Sequence, residues 1–330
     1  MSQSELVVIT GITGYLGAAT LLEFLQSAPP QFRIRGTVRD KTNEAKLKPV
    51  RDGVGEALFS KVELVDADLL DADSLDKALA GAAYVVHTAS PFHFNGGCVD
   101  PAVKGTLAVM EACAKHKVKR VVMTSSVAAI LSLAAADKEK RGHATPYDET
   151  CWSNPERPEG LGDYPTSKTL AEKAAWGFVR SQGPSFDLVV INPTFIMGPS
   201  PCCGDGTSEG FLLSILNGSK DKVPRARGGF VDVRDCARAH LYGVTKPSAG
   251  GHRFILYNKN CRHPDIYEIL AKFNRHGAKV PTELAEGDDA IQEDFVDNTK
   301  SKDVLGIEYH SIESTFTDMA QSLLDRGLIR

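Results

Sequence analysis

The sequence lacks the charge and the apolar runs that mark several classes of protein. Its formal net charge is only −4 over 330 residues, so nothing favours binding to nucleic acid or to an anionic membrane surface. The most apolar window, residues 121–136, is interrupted by one threonine and three serines and falls short of the roughly 20 residues that a membrane helix needs. We therefore expect neither nucleic acid nor membrane as a partner, but a small, neutral or weakly charged molecule.

Cysteine is sparse and follows no pattern. The seven cysteines form no C-x-x-C pair and no metal-ligand spacing, and their odd number argues against complete disulfide pairing. A reducing, cytoplasmic location and the absence of a metal are expected. The adjacent Cys202 and Cys203 could form a redox site, but neighbouring loop cysteines more often have no such role. The amino terminus enters the apolar Leu6–Ile9 without a basic leader, which predicts a first strand and no signal peptide.

Short β-branched runs alternate with amphipathic stretches up to about residue 192. The predicted strands are 6–10, 33–38, 61–65, 84–88, 120–124 and 186–192. The predicted helices between them are 14–26, 74–79, 103–117 and 166–181. This alternation predicts an α/β fold with a Rossmann-type, doubly wound parallel sheet, whose ligands bind beyond the carboxyl ends of the strands. The functional residues are expected at that edge.

A glycine motif with the spacing G-x-x-G-x-x-G follows the first strand, in Thr10–Gly17. Gly11 would permit the tight turn, Gly14 would let the backbone approach a pyrophosphate, and Gly17 would let the helix pack closely on the sheet. Its place in the first strand-to-helix turn indicates a dinucleotide-binding loop rather than an ordinary turn. The other loop residues assigned to the cofactor are Thr13, Tyr15 and Leu16.

The residue after the second strand indicates which cofactor is bound. NAD usually meets an acidic side chain there, which binds its ribose 2′-hydroxyl, but this chain has Arg39, with Lys46 a few residues later. A guanidinium offers a fork of donors that matches phosphate oxygens, so the pair predicts the 2′-phosphate of NADP(H). Asp40 leaves NAD open, in case the strand ends one residue later.

The two domains are predicted to be unequal and partly interleaved, because the chain exceeds the usual size of one compact core. Residues 1–195, with a return segment at 229–258, are predicted to form the NADP-binding domain. Residues 196–228 and 259–330 are predicted to form a smaller, mostly helical lid that binds substrate. A short helix near 211–216, a helix over 233–245 and a late strand at 253–256 are also expected.

Two further strand ends are expected at the same edge of the sheet. Asp68 and Leu69 follow the third strand, where a side chain can meet an adenine ring. Thr88, Ala89 and Ser90 follow the fourth strand, where small residues would let the backbone run beside the cofactor. Both assignments rest on position, and an ordinary exit from a strand would explain either one as well.

Tyr164 and Lys168 form a Y-x-x-x-K pair on one face of a predicted helix. A phenol transfers protons poorly near neutral pH unless a neighbouring positive charge favours its ionised form, which gives the lysine a role. The pattern recurs at Tyr242 and Lys246, so position has to decide. Only Tyr164 begins the helix between the fifth and sixth strands, and Tyr242 with Lys246 is assigned to a solvated helix end.

Ser126 completes the predicted catalytic group. It is the second of two serines at the end of the fifth strand, and a hydroxyl there can hydrogen-bond a substrate oxygen as negative charge develops on it. The glycine loop, this strand end and the Tyr164–Lys168 pair follow one another along the chain, and this combination favours a catalytic role for Ser126 over simple turn chemistry.

Together these motifs resemble the extended short-chain dehydrogenase/reductase superfamily, in particular the branch of dihydroflavonol reductases and fungal methylglyoxal or aldehyde reductases. The similarity covers nearly the whole chain. Its signatures are 10–17, 36–40, 124–126, 147–152, 167–176, 192–194 and 230–235. The resemblance implies that Ser126, Tyr164 and Lys168 are the catalytic trio. It also implies that NADPH is bound by Arg39 and Lys46, and that Pro193, Thr194 and Phe195 lie beside the nicotinamide.

The chain departs from two members of that branch. Dihydroflavonol reductases commonly have an asparagine five residues after the catalytic serine, where this chain has Leu131, and cinnamoyl-CoA reductases have Asn-Trp-Tyr-Cys-Tyr-Gly-Lys where this chain has residues 162–168. Neither substrate is therefore expected. Phe92, Leu131 and Phe195 are predicted to contact substrate, within a wider apolar set on the loops at the sheet edge. The rest of that set is Phe94, Met197 and Phe211.

The resulting hypothesis is an NADPH-dependent reductase of aldehydes or ketones, monomeric or homodimeric. Hydride would pass to the carbonyl carbon while Tyr164 donates the proton. One alternative is an NAD-dependent epimerase or dehydratase, or a hydroxysteroid dehydrogenase; Arg39 argues against the sugar-nucleotide enzymes. The other is a non-catalytic regulator that senses NADPH, against which the Tyr164–Lys168 pair argues.

Overall fold

The computed structural model describes residues 4–90, 97–131, 145–156, 161–202, 206–273, 278–288 and 296–329. A seven-stranded sheet forms its centre, with strands in the spatial order β3-β2-β1-β4-β5-β6-β9 and every neighbouring pair parallel. Its strands are β1 (Glu5–Thr10), β2 (Phe32–Val38), β3 (Glu63–Asp66), β4 (Ala82–His87), β5 (Arg120–Thr124), β6 (Asp187–Pro193) and β9 (Arg253–Leu256). The strand order reverses between β1 and β4, where ligands of such sheets bind.

Helices cover both faces of this sheet. One face carries α1 (Tyr15–Ser27), α2 (Glu44–Val54) and α9 (Val233–Thr245), and the other carries α4 (Ala72–Leu79), α5 (Val99–Lys115) and α7 (Asp163–Gln182). Successive side chains of a strand point to opposite faces. Val7 and Ile9 therefore belong to the first core cluster, whereas Leu6 and Val8 belong to the second.

A second, three-stranded sheet supports the smaller part of the molecule. Its strands are β7 (Phe195–Met197), β8 (Arg227–Asp232) and β10 (Lys259–Arg262), in the order β10-β8-β7. It shares an apolar core with α8 (Thr207–Leu216), α10 (His263–Lys272) and α12 (Ile312–Asp325), centred on the fully buried Phe230 and Phe316. The shorter helices are α3 (Glu56–Phe59), α6 (Ala128–Leu131), α11 (Thr299–Asp303) and the 3-10 turn Pro247–Ala249.

The predicted fold class is confirmed, and the strands of the large sheet agree with the predicted ranges to within about two residues. The second sheet and α2 were not predicted. The strand β10, Lys-Asn-Cys-Arg, lacks the apolar alternation by which a strand is predicted from sequence. It forms because it pairs with β8, and that pairing leaves no local signal in the sequence. The proposed return segment also divides: β8 lies in the small sheet, whereas α9 and β9 lie on and in the large one.

Membrane-spanning helices and metal sites are two features that the sequence predicts this protein to lack. Within the ranges given above, no helix is both long and apolar enough to cross a membrane, and no group of three histidines, cysteines or carboxylates is arranged to hold a metal ion. Six buried cysteines have free thiols; Cys203 lies outside the described residues, so the proposed Cys202–Cys203 pair is not described.

Two histidines are buried in the large domain without a charged partner. His87 Nδ1 lies 3.0 Å from Thr10 Oγ1, while the two nitrogens of His240 bond to Thr124 Oγ1 at 2.7 Å and to the Cys236 carbonyl at 2.7 Å. Burial lowers the pKa of each imidazole to about 4, from 6.5. Both side chains are therefore neutral in the folded protein at neutral pH.

These histidines predict a loss of stability in mild acid. The unfolded chain takes up protons below about pH 6.5, whereas the folded protein does not until about pH 4, so the free energy of unfolding falls as the pH decreases through this window, by about 2 kcal/mol per histidine at pH 5. Urea unfolding at about pH 7 and pH 5 measures the difference. His240→Gln should reduce that difference, and the exposed His252→Gln should largely retain it. If the free energy of unfolding falls between about pH 7 and pH 5 by the same amount in His240→Gln and wild type, His240 is not a source of the acid sensitivity.

Candidate active site

The glycine loop has the close packing that only glycine permits. Gly11 has a φ of +72°, and a Cβ there would lie 2.9 Å from the Cβ of Ala89. A Cβ on Gly17 would lie 2.2 Å from the Gly11 carbonyl oxygen. Around Gly14, by contrast, the nearest protein atom to a Cβ would be 3.4 Å away. The loop is thus packed tightly beneath α1 and open above Gly14, where a pyrophosphate would approach.

The amino end of α1 suits an anion. Gly14 is its N-cap, which provides no side-chain hydrogen bond, and its first turn contains no acidic residue. The first N–H groups of a helix carry partial positive charge and need acceptors. A dinucleotide phosphate would supply them, so the residues present fit this cofactor. Thr13 and Leu16 are partly buried beside the same turn.

The hydroxyl of Tyr15 lies against the small sheet. Its hydroxyl donates to the Gly198 carbonyl and lies 3.9 Å from Met319 Sδ in α12, and burial raises the pKa of this phenol. Ser200 Oγ donates to the Tyr15 carbonyl at 2.8 Å. The side chain therefore joins α1 to the small sheet, and its hydroxyl is already used in that contact.

The end of β2 presents exposed cations and one acid that is held in its own turn. Arg39 is exposed directly after the strand, and Lys46 is exposed in the first turn of α2. The Asp40 carboxylate accepts hydrogen bonds from Thr42 Oγ1 at 2.6 Å and Thr42 N at 2.8 Å, which lower the pKa of Asp40. Both bonds reach Oδ1, so Asp40 is held in its own turn, and the exposed cations beside it favour the 2′-phosphate of NADP(H).

The segments after β3 and β4 are held by the elements around them. Asp68 Oδ1 accepts from Leu70 N at 2.9 Å, and Leu69 packs over Gly105 of α5, where a Cβ would lie 3.2 Å from it. Thr88 Oγ1 donates to the Thr10 carbonyl, and Ala89 N donates to Thr10 Oγ1 at 3.1 Å. The second segment therefore runs directly against the glycine loop.

The predicted catalytic residues lie where β5 ends and α7 begins. Ser126 is mostly buried, and its Oγ accepts from Ala128 N at 3.1 Å. Tyr164 is 37% exposed, and the Lys168 ammonium lies 5.9 Å from the centroid of its ring. Lys168 Nζ also donates to Ser90 Oγ at 3.2 Å. Lys168 thus links the segment predicted to run beside the cofactor to the tyrosine predicted to transfer the proton.

The second Y-x-x-x-K pair is at the opposite edge of the sheet. Lys246 Nζ lies 4.6 Å from the Tyr242 ring centroid and donates to the Leu305 carbonyl. Arg120, the first residue of β5, bonds to carbonyls at the end of the same helix. The helix end was predicted, but the pair is not simply solvated, because Tyr242 packs against the large core and Lys246 is partly buried.

The nicotinamide and substrate residues belong to separate clusters. Pro193 ends β6, and Thr194 N and Oγ1 both donate to the Leu256 carbonyl, at 2.9 and 3.1 Å. Phe195 packs 5.5 Å from Phe211 and 6.0 Å from Phe230, between ring centroids, in the core of the small sheet.

Leu131 packs instead against a cluster around Ile130 and Tyr147, and Met197 is fully buried in the small core. Phe92 and Phe94 lie outside the described residues. The structure does not bring the predicted substrate residues into one described pocket.

Glu172 is a buried acid on α7 that the sequence analysis did not single out. It lies in α7 one turn after Lys168, is fully buried, and pairs with Arg253 of β9. The available signal was an acidic residue on the buried stripe of a helix, which is rarely buried without a partner. Its hydrogen-bond partners outside α7 are 20 to 81 residues away in sequence, so the sequence offered no means of identifying them.

Three features define a dinucleotide-dependent oxidoreductase. They are the doubly wound sheet, the helix without a side-chain cap that follows the glycine loop, and the Tyr–Lys pair at the carboxyl ends of the strands. The chain belongs to the NAD dependent epimerase/dehydratase family, whose model matches residues 7–258.

Two curated relatives match almost the full chain. Cinnamoyl-CoA reductase CAD2 of Medicago truncatula is 32% identical, covering 99% of this chain and 98% of its own. A putative NADPH-dependent methylglyoxal reductase, GRP2 of Candida albicans, is 30% identical, covering 98% and 100%. Among solved structures, the yeast methylglyoxal/isovaleraldehyde reductase Gre2 complexed with NADPH has a TM-score of 0.80 at 26% identity, covering 98% of this chain and 100% of its own.

The comparisons confirm the predicted resemblance, the oxidoreductase class and NADP(H) as the cofactor. Vestitone reductase from alfalfa, with a TM-score of 0.79 at 27% identity and coverage of 98% and 99%, extends the similarity to another plant reductase. Similarity to cinnamoyl-CoA reductases covers the whole chain, although residues 162–168 lack the signature described above.

The geometry at β2 predicts how the chain selects its cofactor. Arg39→Ser should weaken NADPH binding about 10- to 100-fold, because a charge-assisted contact to the 2′-phosphate is lost, and should leave NADH binding unchanged. Fluorescence titration with both coenzymes measures this. Arg33→Ser, at the opposite end of β2, is the matched control and should change neither affinity. Equal losses for NADPH and NADH would show that Arg39 does not read the phosphate.

Proposed function

We propose that this protein is an NADPH-dependent reductase of small carbonyl compounds, aldehydes or ketones. The observation that carries the proposal is the position of Lys168, whose ammonium contacts Ser90 on the predicted cofactor path and lies over the ring of Tyr164. A lysine placed in this way can bind the cofactor ribose and favour the phenolate that remains after proton transfer.

The residues of this chain would divide the reaction among them. Bound NADPH supplies the hydride. Ser126, at the end of β5, hydrogen-bonds the carbonyl oxygen and stabilises the charge that develops on it. Tyr164 donates the proton to that oxygen, and Lys168 stabilises the resulting phenolate. Arg39 and Lys46 hold the 2′-phosphate, while the open space above Gly14 and the uncapped end of α1 accept the pyrophosphate.

The same contacts weigh against the alternatives. A sugar-nucleotide epimerase with tightly held NAD needs an acid for the ribose 2′-hydroxyl, whereas the exposed residue directly after β2 in this chain is Arg39. A regulator that only senses NADPH has no need of the Tyr164–Lys168 pair. The names of the relatives, which include methylglyoxal and tetraketide α-pyrone reductases, support a carbonyl substrate.

Two substitutions test the proton-transfer assignment. Tyr164→Phe should lower kcat by about 100- to 10,000-fold, the usual contribution of a positioned acid, and Ser126→Ala by about 100- to 1,000-fold through loss of a donor to the oxyanion. The dissociation constant of NADPH should stay within about twofold in both. Tyr242→Phe is the matched control, since it alters the other Y-x-x-x-K tyrosine, and it should retain normal turnover. Normal turnover in Tyr164→Phe would refute the assignment.

The substrate class is tested by NADPH consumption with a panel of small dicarbonyls, aliphatic and aromatic aldehydes, β-keto esters and dihydroflavonols. We expect oxidation of NADPH with at least one small carbonyl compound. Measurable NADPH binding without oxidation by any of them would favour the regulator, and NAD retained through purification would favour the epimerase class.

A further inference from the structure

The carboxylate of Glu172 has hydrogen-bond donors on both of its oxygens. Oε1 accepts from Arg253 Nε and from Trp176 Nε1 at 3.3 Å. Oε2 accepts from Ser125 Oγ at 2.6 Å and from Asn192 Nδ2 at 2.8 Å. The side chain is fully buried, and a buried charge is stable only when donors meet it in this way. The network specifies one arrangement of the groups that it joins.

Three of its four partners lie on strands of the large sheet or directly after one. Ser125 directly precedes Ser126 at the end of β5, and Asn192 of β6 also donates to the Ser126 carbonyl at 3.1 Å. Arg253 opens β9, where its guanidinium stacks 3.7 Å from the Trp152 ring and donates to the Cys151 carbonyl at 2.7 Å. Glu172 therefore ties α7 to β5, β6 and β9, which are neighbours in the large sheet.

The same residue determines how α7 presents the proton-transfer pair. Tyr164, Lys168 and Glu172 are four residues apart in turn, so they lie along one face of the helix. The other buried polar residues near the start of α7 bond within the helix: Ser167 Oγ donates to the Tyr164 carbonyl and Thr169 Oγ1 to the Pro165 carbonyl. Glu172 is thus the buried polar anchor to the sheet that lies nearest to Tyr164 and Lys168.

The network is not the arrangement that stability alone would favour. Asn192 Oδ1 and one guanidinium nitrogen of Arg253, Nη2, are buried with no hydrogen-bond partner among the described residues. Well-packed apolar side chains can replace a buried ion pair without loss of stability. An incompletely satisfied network at this place therefore indicates a geometric role, in which the ends of β5 and α7 are held in a fixed relation.

We propose that Glu172 is a positioning residue for the reduction, setting the separation of Ser126 Oγ and Tyr164 Oη by holding both elements that carry them. The proposal rests on the proposed function, in which these two groups act on one substrate oxygen. Glu172 touches neither substrate nor cofactor and acts through Ser125, Asn192 and the register of α7.

The test is Glu172→Gln, which keeps the shape of the side chain but presents an amide N–H₂ to groups that are themselves donors. We expect kcat to fall about 10- to 100-fold, as for a misplacement of about 1 Å, with NADPH affinity within about twofold of wild type. Crystal structures of both proteins should show a longer Ser126 Oγ–Tyr164 Oη separation in the variant. An unchanged kcat together with an unchanged separation would overturn the proposal.

Two further variants separate positioning from loss of stability. Asp187→Asn breaks the ion pair with Arg120 at the amino ends of β5 and β6, and it should lower Tm but leave kcat unchanged. Glu172→Gln with Arg253→Met removes the cation left unpaired, so Tm should recover while kcat stays low. If Glu172→Gln alone does not fold, kcat is measured on this double variant instead. Recovery of kcat together with Tm would show a purely structural role and overturn the proposal.

Failure of the proposed function would be recognised separately. If the wild-type protein binds NADPH and reduces no carbonyl compound, the function is wrong, and the crystallographic comparison still decides the role of Glu172. A separation that lengthens in the variant supports the positioning role, and an identical separation refutes it.

Discussion

The buried carboxylate of Glu172 is the constraint on which the arrangement of the candidate site depends. It joins the helix that carries Tyr164 and Lys168 to β5, β6 and β9, and its ion-pair partner Arg253 lies 81 residues further along the chain. Because a buried charge requires its donors, these elements must all be in place before the site has its geometry. The catalytic helix is therefore positioned by the last strand of the sheet as much as by its neighbours in sequence.

A second constraint operates at the other side of the reaction edge, where backbone segments approach too closely for side chains. Ala89 leaves no room for a Cβ on Gly11, and the Gly11 carbonyl leaves none on Gly17. The segment that includes Ala89 continues to Ser90, which accepts from Lys168. The glycine loop and the Tyr164–Lys168 pair are thus connected through one short segment, so one lysine can reach both regions.

The smaller sheet depends on the same loop. Tyr15 begins α1 directly after Gly14, yet its hydroxyl bonds to Gly198 beyond β7 and lies 3.9 Å from Met319 Sδ of α12. A residue of the cofactor motif therefore holds the small sheet against the large one. Phe195, expected beside the nicotinamide, is likewise part of the aromatic core of the small sheet. The packing of the small sheet against the large one therefore also determines where Tyr15 and Phe195 lie.

The sequence by itself determined the large sheet, the glycine loop and the strand ends, because each depends on local periodicity, on φ values open to glycine or on a short spacing. The order of the motifs also led to the prediction of Tyr164 and Lys168, rather than Tyr242 and Lys246, as the proton-transfer pair. Only the tertiary structure decided the small sheet, the direction of the Tyr15 side chain and the role of Glu172. Their partners lie 20 to 304 residues away, and the hydrogen bonds that define them exist only once distant strands have been brought together.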